Sequence, residues 1–223
     1  MSDPARLSSE ELVALRRDLA SLLAGLLVAP PTDAALAALR DPDAARALEA
    51  AVGPEASAAL ATLDRERPAA ALREEFFALL AVPGPRYRPP FESLHCDDGA
   101  GGEDAPHGLA GEAAVRVAER FRRAGFAVAV PELPDHAGCE LAFLAALLDV
   151  EREALARGDA SAARRAAREA AEFARAHPLR WLDVWARSLA DDPAAVLYPA
   201  VGALAAALAR AVARGSPALP VVR

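Results

Sequence analysis

The sequence predicts an all-α fold of about nine helices, and three observations carry that reading. Apolar residues recur at three- and four-residue spacing in one segment after another. Capping residues or prolines open these segments, and turn residues close them. No stretch alternates with period two over a useful length, and no hairpin dipeptide separates two apolar runs.

"SSEELVALRRDLASLLAGLL" begins with serines before glutamates and reads as a capped amphipathic helix. "PPTDAALAALRD" ends it and starts a second, with Thr32 or Asp33 as N-cap. "GPEASAALATLDRE" and "PAAALREEFFALLAV" each place proline near a helix start. Residues 83–108, "PGPRYRPPFESLHCDDGAGGEDAPHG", break the pattern with proline, glycine and a late run of acids. So long a loop within a folded domain points to function or mobility. Helical periodicity resumes in "LAGEAAVRVAERFRRAG", closed by Gly125. A further helix follows "PELPDH" and runs to about Arg157. "DASAARRAAREAAEFARAH", capped by Asp159 or Ser161, "HPLRWLDVWARSLA" and "DPAAVLYPAVGALAAALARAVARG" complete the set. The expected organisation is one helical domain, residues 1–223, with the 83–108 loop between its N- and C-terminal halves.

With 54% hydrophobic residues, the chain has the means to bury a core. All 25 basic residues are arginine, which reflects coding bias rather than function. A net charge of -7 gives no general attraction for nucleic acid or anionic membrane, and suits a partner with a basic segment. Cys96 and Cys139 form no CxxC, so neither a disulfide framework nor a zinc knuckle is signalled. The polar N-terminus and the lack of a long apolar run predict a cytoplasmic protein without leader or membrane span.

The chemistry concentrates in "PELPDHAGCELAFLAALL", residues 131–148. Asp135 stands where a carboxylate caps a helix, behind the stiff Pro134. His136, Glu140, Phe143 and Leu147 fall on one helical stripe, polar at its start and apolar beyond. That stripe fits a groove rim, a partly buried helix end, or a His–Glu metal pair at i, i+4. A Cys139–His136 nucleophile is a weaker option, since Cys139 lacks an orienting partner and suits a small core position. "RPPFES" presents Phe91 and Glu92 on stiff extended backbone. In "FARAHPLRWLDVW", Phe173, Trp181 and Trp185 read as core anchors, and His177 gains only from a helix C-terminus. No Walker loop, GxGxxG, GxSxG or HExxH is present.

The order and separation of these stretches resemble the TorD/DmsD (NarJ-like) family of molybdoenzyme-specific chaperones. The family's E-x-P-D-H-x-x-x-E-L-x-F-[ML] run is matched by Glu132, Pro134, Asp135, His136, Glu140, Leu141, Phe143 and Leu144. "EEFFALLAVPGPRYRPPFES" is similar to the family's LF-x-x-P-G…PPYES element, with Phe91 in place of tyrosine and its hydroxyl. "FRRAGF" and "HPLRW" also fit the layout, so the likeness spans about residues 70–200. It implies a TorD-like helical, non-enzymatic chaperone without tightly bound metal or cofactor.

The implied partner is the apo catalytic subunit of a DMSO-reductase-type molybdoenzyme, bound through its N-terminal region or twin-arginine signal peptide. The implied task is assistance to molybdenum cofactor insertion before export, with at most transient contact to the client's molybdopterin guanine dinucleotide. The expected client-binding residues are Glu132, Pro134, Asp135, His136, Glu140, Phe143, Phe91, Glu92 and Ser93, acids beside an apolar groove. A monomer, or a dimer swapped about the 83–108 hinge, is expected. The competing readings are a metal-dependent hydrolase using His136 and Glu140, and a helical scaffold or regulatory subunit.

Overall fold

The computed structural model describes residues 7–96, 109–128 and 130–215. Among them ten α-helices form: α1 (Ser9–Val28), α2 (Asp33–Arg40), α3 (Pro42–Val52), α4 (Glu55–Ala61), α5 (Ala69–Phe76), α6 (Glu112–Ala124), α7 (Ala137–Ala156), α8 (Ala160–Ala176), α9 (Pro178–Ala190) and α10 (Tyr198–Ala213). The described residues contain no strand, only an isolated antiparallel bridge between Phe91 and His136. Ser8 and Glu11 close a reciprocal capping box on α1, Thr32 caps α2, and Asp159 caps α8. Gly125 ends α6 with φ 66°, the left-handed conformation that glycine adopts without strain. The helix beyond the expected nine is α3. Asp41 both ends α2 and caps α3, with Pro42 at the first helical position. Helix α3 buries only Ala51 and Val52.

Two glycines set the closest helix approaches. A Cβ on Gly138 would sit 2.5 Å from Val28 Cγ1 and 3.1 Å from the Ala24 carbonyl, so glycine lets α7 lie against α1. A Cβ on Gly202 would meet Leu189 Cδ1 at 2.9 Å and Ala186 at 3.2 Å, which fixes α10 against α9. One contiguous core joins the two halves, from Leu23 of α1 through Leu60 and Phe76 to Phe143, Trp181 and Leu204. Trp181 and Trp185 are fully buried, as core anchors should be.

Helix α10 begins without a cap of its own, since Leu197 offers no acceptor. Glu75, buried at the end of α5, supplies it. Its carboxylate accepts from Val196, Leu197 and Tyr198 N–H at 2.9–3.1 Å. Three otherwise orphaned donors are satisfied by a residue more than a hundred positions away.

A single π-helical turn, Phe77–Ala81, follows α5 and releases the chain into an extended strap, residues 83–96. Pro83, Pro85, Pro89 and Pro90 leave the strap few N–H groups to satisfy. Several of the remaining polar groups are tied down. Arg88 N–H donates to Leu79 O at 2.7 Å and Arg88 Nε to Ser188 O at 3.1 Å, while Trp185 Nε1 donates to Arg88 O at 3.1 Å. Arg86 pairs with Asp192 at 2.7 Å. The part of the expected hinge at 97–108 lies outside the described residues.

Candidate functional site

The strap meets the start of α7 through backbone bonds. Ala137 N–H donates to Pro90 O at 2.8 Å, and Glu92 N–H donates to Asp135 O at 2.9 Å. Asp135 does not cap α7, contrary to the sequence expectation. Its Oδ2 accepts from Ser93 N–H at 3.0 Å, so the carboxylate serves the strap's short 3-10 turn, Glu92–Leu94. The cap is His136, whose Nδ1 accepts from Gly138 N–H at 3.0 Å. Burial lowers the His136 pKa to about 4, so at neutral pH the ring is the uncharged acceptor that this bond requires. Phe91 packs against the ring edge-on at 5.1 Å.

Beneath this junction lies a polar cluster wholly inside the protein. Glu92 and Glu140 have no exposed surface, and His177 is 3% exposed. His177 Nδ1 lies 2.9 Å from Glu92 Oε2, and Trp181 Nε1 donates to Glu140 Oε2 at 3.2 Å. Arg180 Nη1 stands 3.5 Å from Glu92 Oε1, an ion pair at the solvent side of the cluster. His95 stacks on Trp181 with ring centroids 5.3 Å apart. Burial raises the Glu140 pKa well above the carboxylate range, and the neighbouring Glu92 and Asp135 push the same way. The Glu140 and Glu92 carboxyls share a hydrogen bond, which needs one proton between them. Two bare carboxylates could not bond to each other.

The expected client-binding set divides cleanly. Asp135, His136, Glu140, Phe143, Phe91 and Glu92 are buried, while Glu132, Pro134 and Ser93 are half-buried. Of the stripe His136, Glu140, Phe143 and Leu147, the polar end is thus not a groove rim, whereas Phe143 and Leu147 line a separate pocket of about 330 Å³ with Phe126 and Val150. The polar end locks the strap, and Phe143 enters an aromatic cluster with Phe121, Phe126 and Phe173 at 4.7–5.1 Å. The His136–Glu140 metal pair is not formed either, because His136 spends Nδ1 on the cap while Glu140 turns away from it, toward Glu92 and His177. Cys139 is 1% exposed, and burial with the surrounding acids pushes its thiol up to about 12. It is a core residue rather than a nucleophile. Sequence reasoning passed over His177 as a member of this site. The signal available was a histidine directly before the Pro-led helix that carries Trp181.

Where the strap begins, the polarity reverses. Phe77 and Val82 are 47% and 55% exposed, and with Ala78, Pro83 and Pro85 they line an apolar groove of about 420 Å³. Exposed Glu74 and half-buried Arg86 stand on its walls, the arginine already neutralised by Asp192 at 2.7 Å.

No curated protein matches the chain. Among solved structures it is similar to a candidate redox enzyme maturation protein from Archaeoglobus fulgidus, at 19% identity and TM-score 0.45, with 89% of this chain and 91% of that chain covered. The family model described as "Nitrate reductase delta subunit" matches residues 41–187, a span that holds the strap, the buried cluster and the groove. The chain belongs to the nitrate reductase delta subunit family, the NarJ-like family.

Proposed function

We propose that the chain is a cytoplasmic, client-specific chaperone that binds the cofactor-free catalytic subunit of a molybdoenzyme through that subunit's N-terminal region. The observation that carries this reading is the apolar groove at Phe77–Pro85 with the acid of Glu74 beside it. A leader with basic residues ahead of an apolar helix needs that combination: a carboxylate for the cation and a recess for the side chains. A volume of about 420 Å³ suits a few large side chains rather than a whole helix. The buried signature residues act on the client indirectly, by holding the strap that shapes one wall of the groove. Client held in this way stays open to molybdenum cofactor insertion, and the chaperone itself performs no chemistry.

Isothermal titration with a synthetic peptide of the client N-terminus tests the placement. Phe77→Ser with Val82→Ser should weaken binding at least tenfold, and Glu74→Arg should weaken it most for peptides carrying paired arginines. Unchanged affinity in both variants sinks the groove. Pull-down from native cytoplasm tests the role itself: a chaperone recovers the catalytic subunit mainly without its cofactor, whereas recovery with the mature enzyme would mark a permanent subunit.

A further inference from the structure

We infer that Glu92, Glu140 and His177 form a buried site for one divalent transition-metal ion, with zinc as the ion that fits the donors. One donor atom from each residue lies within 4.8 Å of the others. The three come from separate elements: the strap, α7, and the α8–α9 junction. At the widest, such a triangle puts its centre about 2.8 Å from each donor, so inward shifts of about 0.7 Å reach the bond lengths of zinc, ~2.0–2.2 Å.

A second observation is independent of this clustering. Glu140 Oε1 and Glu92 Oε1 are both buried, and apart from the hydrogen bond between the two carboxyls and Arg180 at 3.5 Å from Glu92 Oε1, no described residue satisfies them. Buried oxygens in that state need a proton or a cation between them. One imidazole nitrogen with two carboxylate oxygens favours zinc and its transition-metal neighbours over magnesium and calcium, which prefer oxygen donors alone. Trp181, which donates to Glu140 Oε2, would orient that ligand from outside. Arg180, its side chain about a third exposed, marks the short route from solvent. An ion here would displace the proton between the carboxyls to solvent, and would join the strap to both halves of the C-terminal bundle.

The test uses full-length protein stripped with chelator, then given zinc or cobalt. One equivalent should survive gel filtration, the melting temperature should rise with zinc concentration as mass action requires, and cobalt should give visible d–d bands. Trp181→Phe should weaken binding by about 10–100-fold, the usual cost of losing an outer partner. Glu140→Gln and His177→Gln should abolish retention, while His136→Asn should keep it. No retained zinc in the wild-type protein overturns the site without recourse to any variant. Retention in Glu140→Gln, or equal loss in His136→Asn, would likewise assign the ion elsewhere.

Discussion

The two ends of the strap invert the usual rule in opposite senses. At Phe77–Pro85 large apolar groups stand outside, whereas at Glu92 carboxyls, an imidazole and an indole N–H sit inside. Exposed apolar surface beside a groove marks a place where something docks. Buried polar groups that satisfy one another hold a backbone in one arrangement. One stretch of about fifteen residues thus carries both the exposed apolar groove and the buried cluster that ties the backbone down. The most recognisable residues of the sequence are buried scaffolding, and the exposed apolar surface lies upstream of them.

Breaking the inner end should have the largest effect. Glu92→Ala strands His177 and Glu140 and should cost about 3–5 kcal/mol in urea unfolding, as loss of one partner in a buried ionic cluster does. Glu140→Gln, assayed in metal-free buffer, should cost far less than Glu92→Ala, because an amide keeps both the donor to Glu92 and the acceptor for Trp181. Equal losses would show that Glu140 does not hold the shared proton.

Acidification probes the same junction through His136. Its pKa is about 6.5 unfolded and about 4 folded, so the unfolded chain takes the proton first. Stability is full above 6.5 and falls as pH drops from there to 4, by about 3 kcal/mol in all. His136→Asn keeps an acceptor for Gly138 and should flatten that limb; a limb that persists would assign the loss to another group. Next in size, Glu75→Ala uncaps α10 and should cost about 2 kcal/mol. Smallest of all, Phe77→Ser and Val82→Ser should each change stability by no more than about 0.5 kcal/mol, as exposed positions do. A larger drop would make them core residues and remove the contrast between the strap's ends.

Local signals were legible and distant ones were not. Caps at Ser8, Thr32 and Asp159 and the stop at Gly125 depend on neighbours within a few positions, and each stands where the pattern put it. Helix α3 escaped because Asp41 both ends α2 and starts α3, which leaves no connecting loop to read as a boundary. Asp135 obeyed the capping rule in sequence and broke it in space, because the strap's Ser93 N–H competes for the same carboxylate. The pairing of His177 with Glu92 spans 85 residues, and Glu75 reaches its partners across 121 to 123. No spacing rule reaches so far.

Glu75 also imposes an order of events. Glu74 and Phe77, its near neighbours in the chain, belong to the groove, while the N–H groups that Glu75 needs lie at 196–198. A ribosome makes α5 long before it makes α10. Until Val196 emerges, the acid beneath the groove has no partner and no reason to turn inward. The buried end of α5 is therefore finished only when α10 arrives, and on the proposed reading a chain still on the ribosome would not yet hold its client.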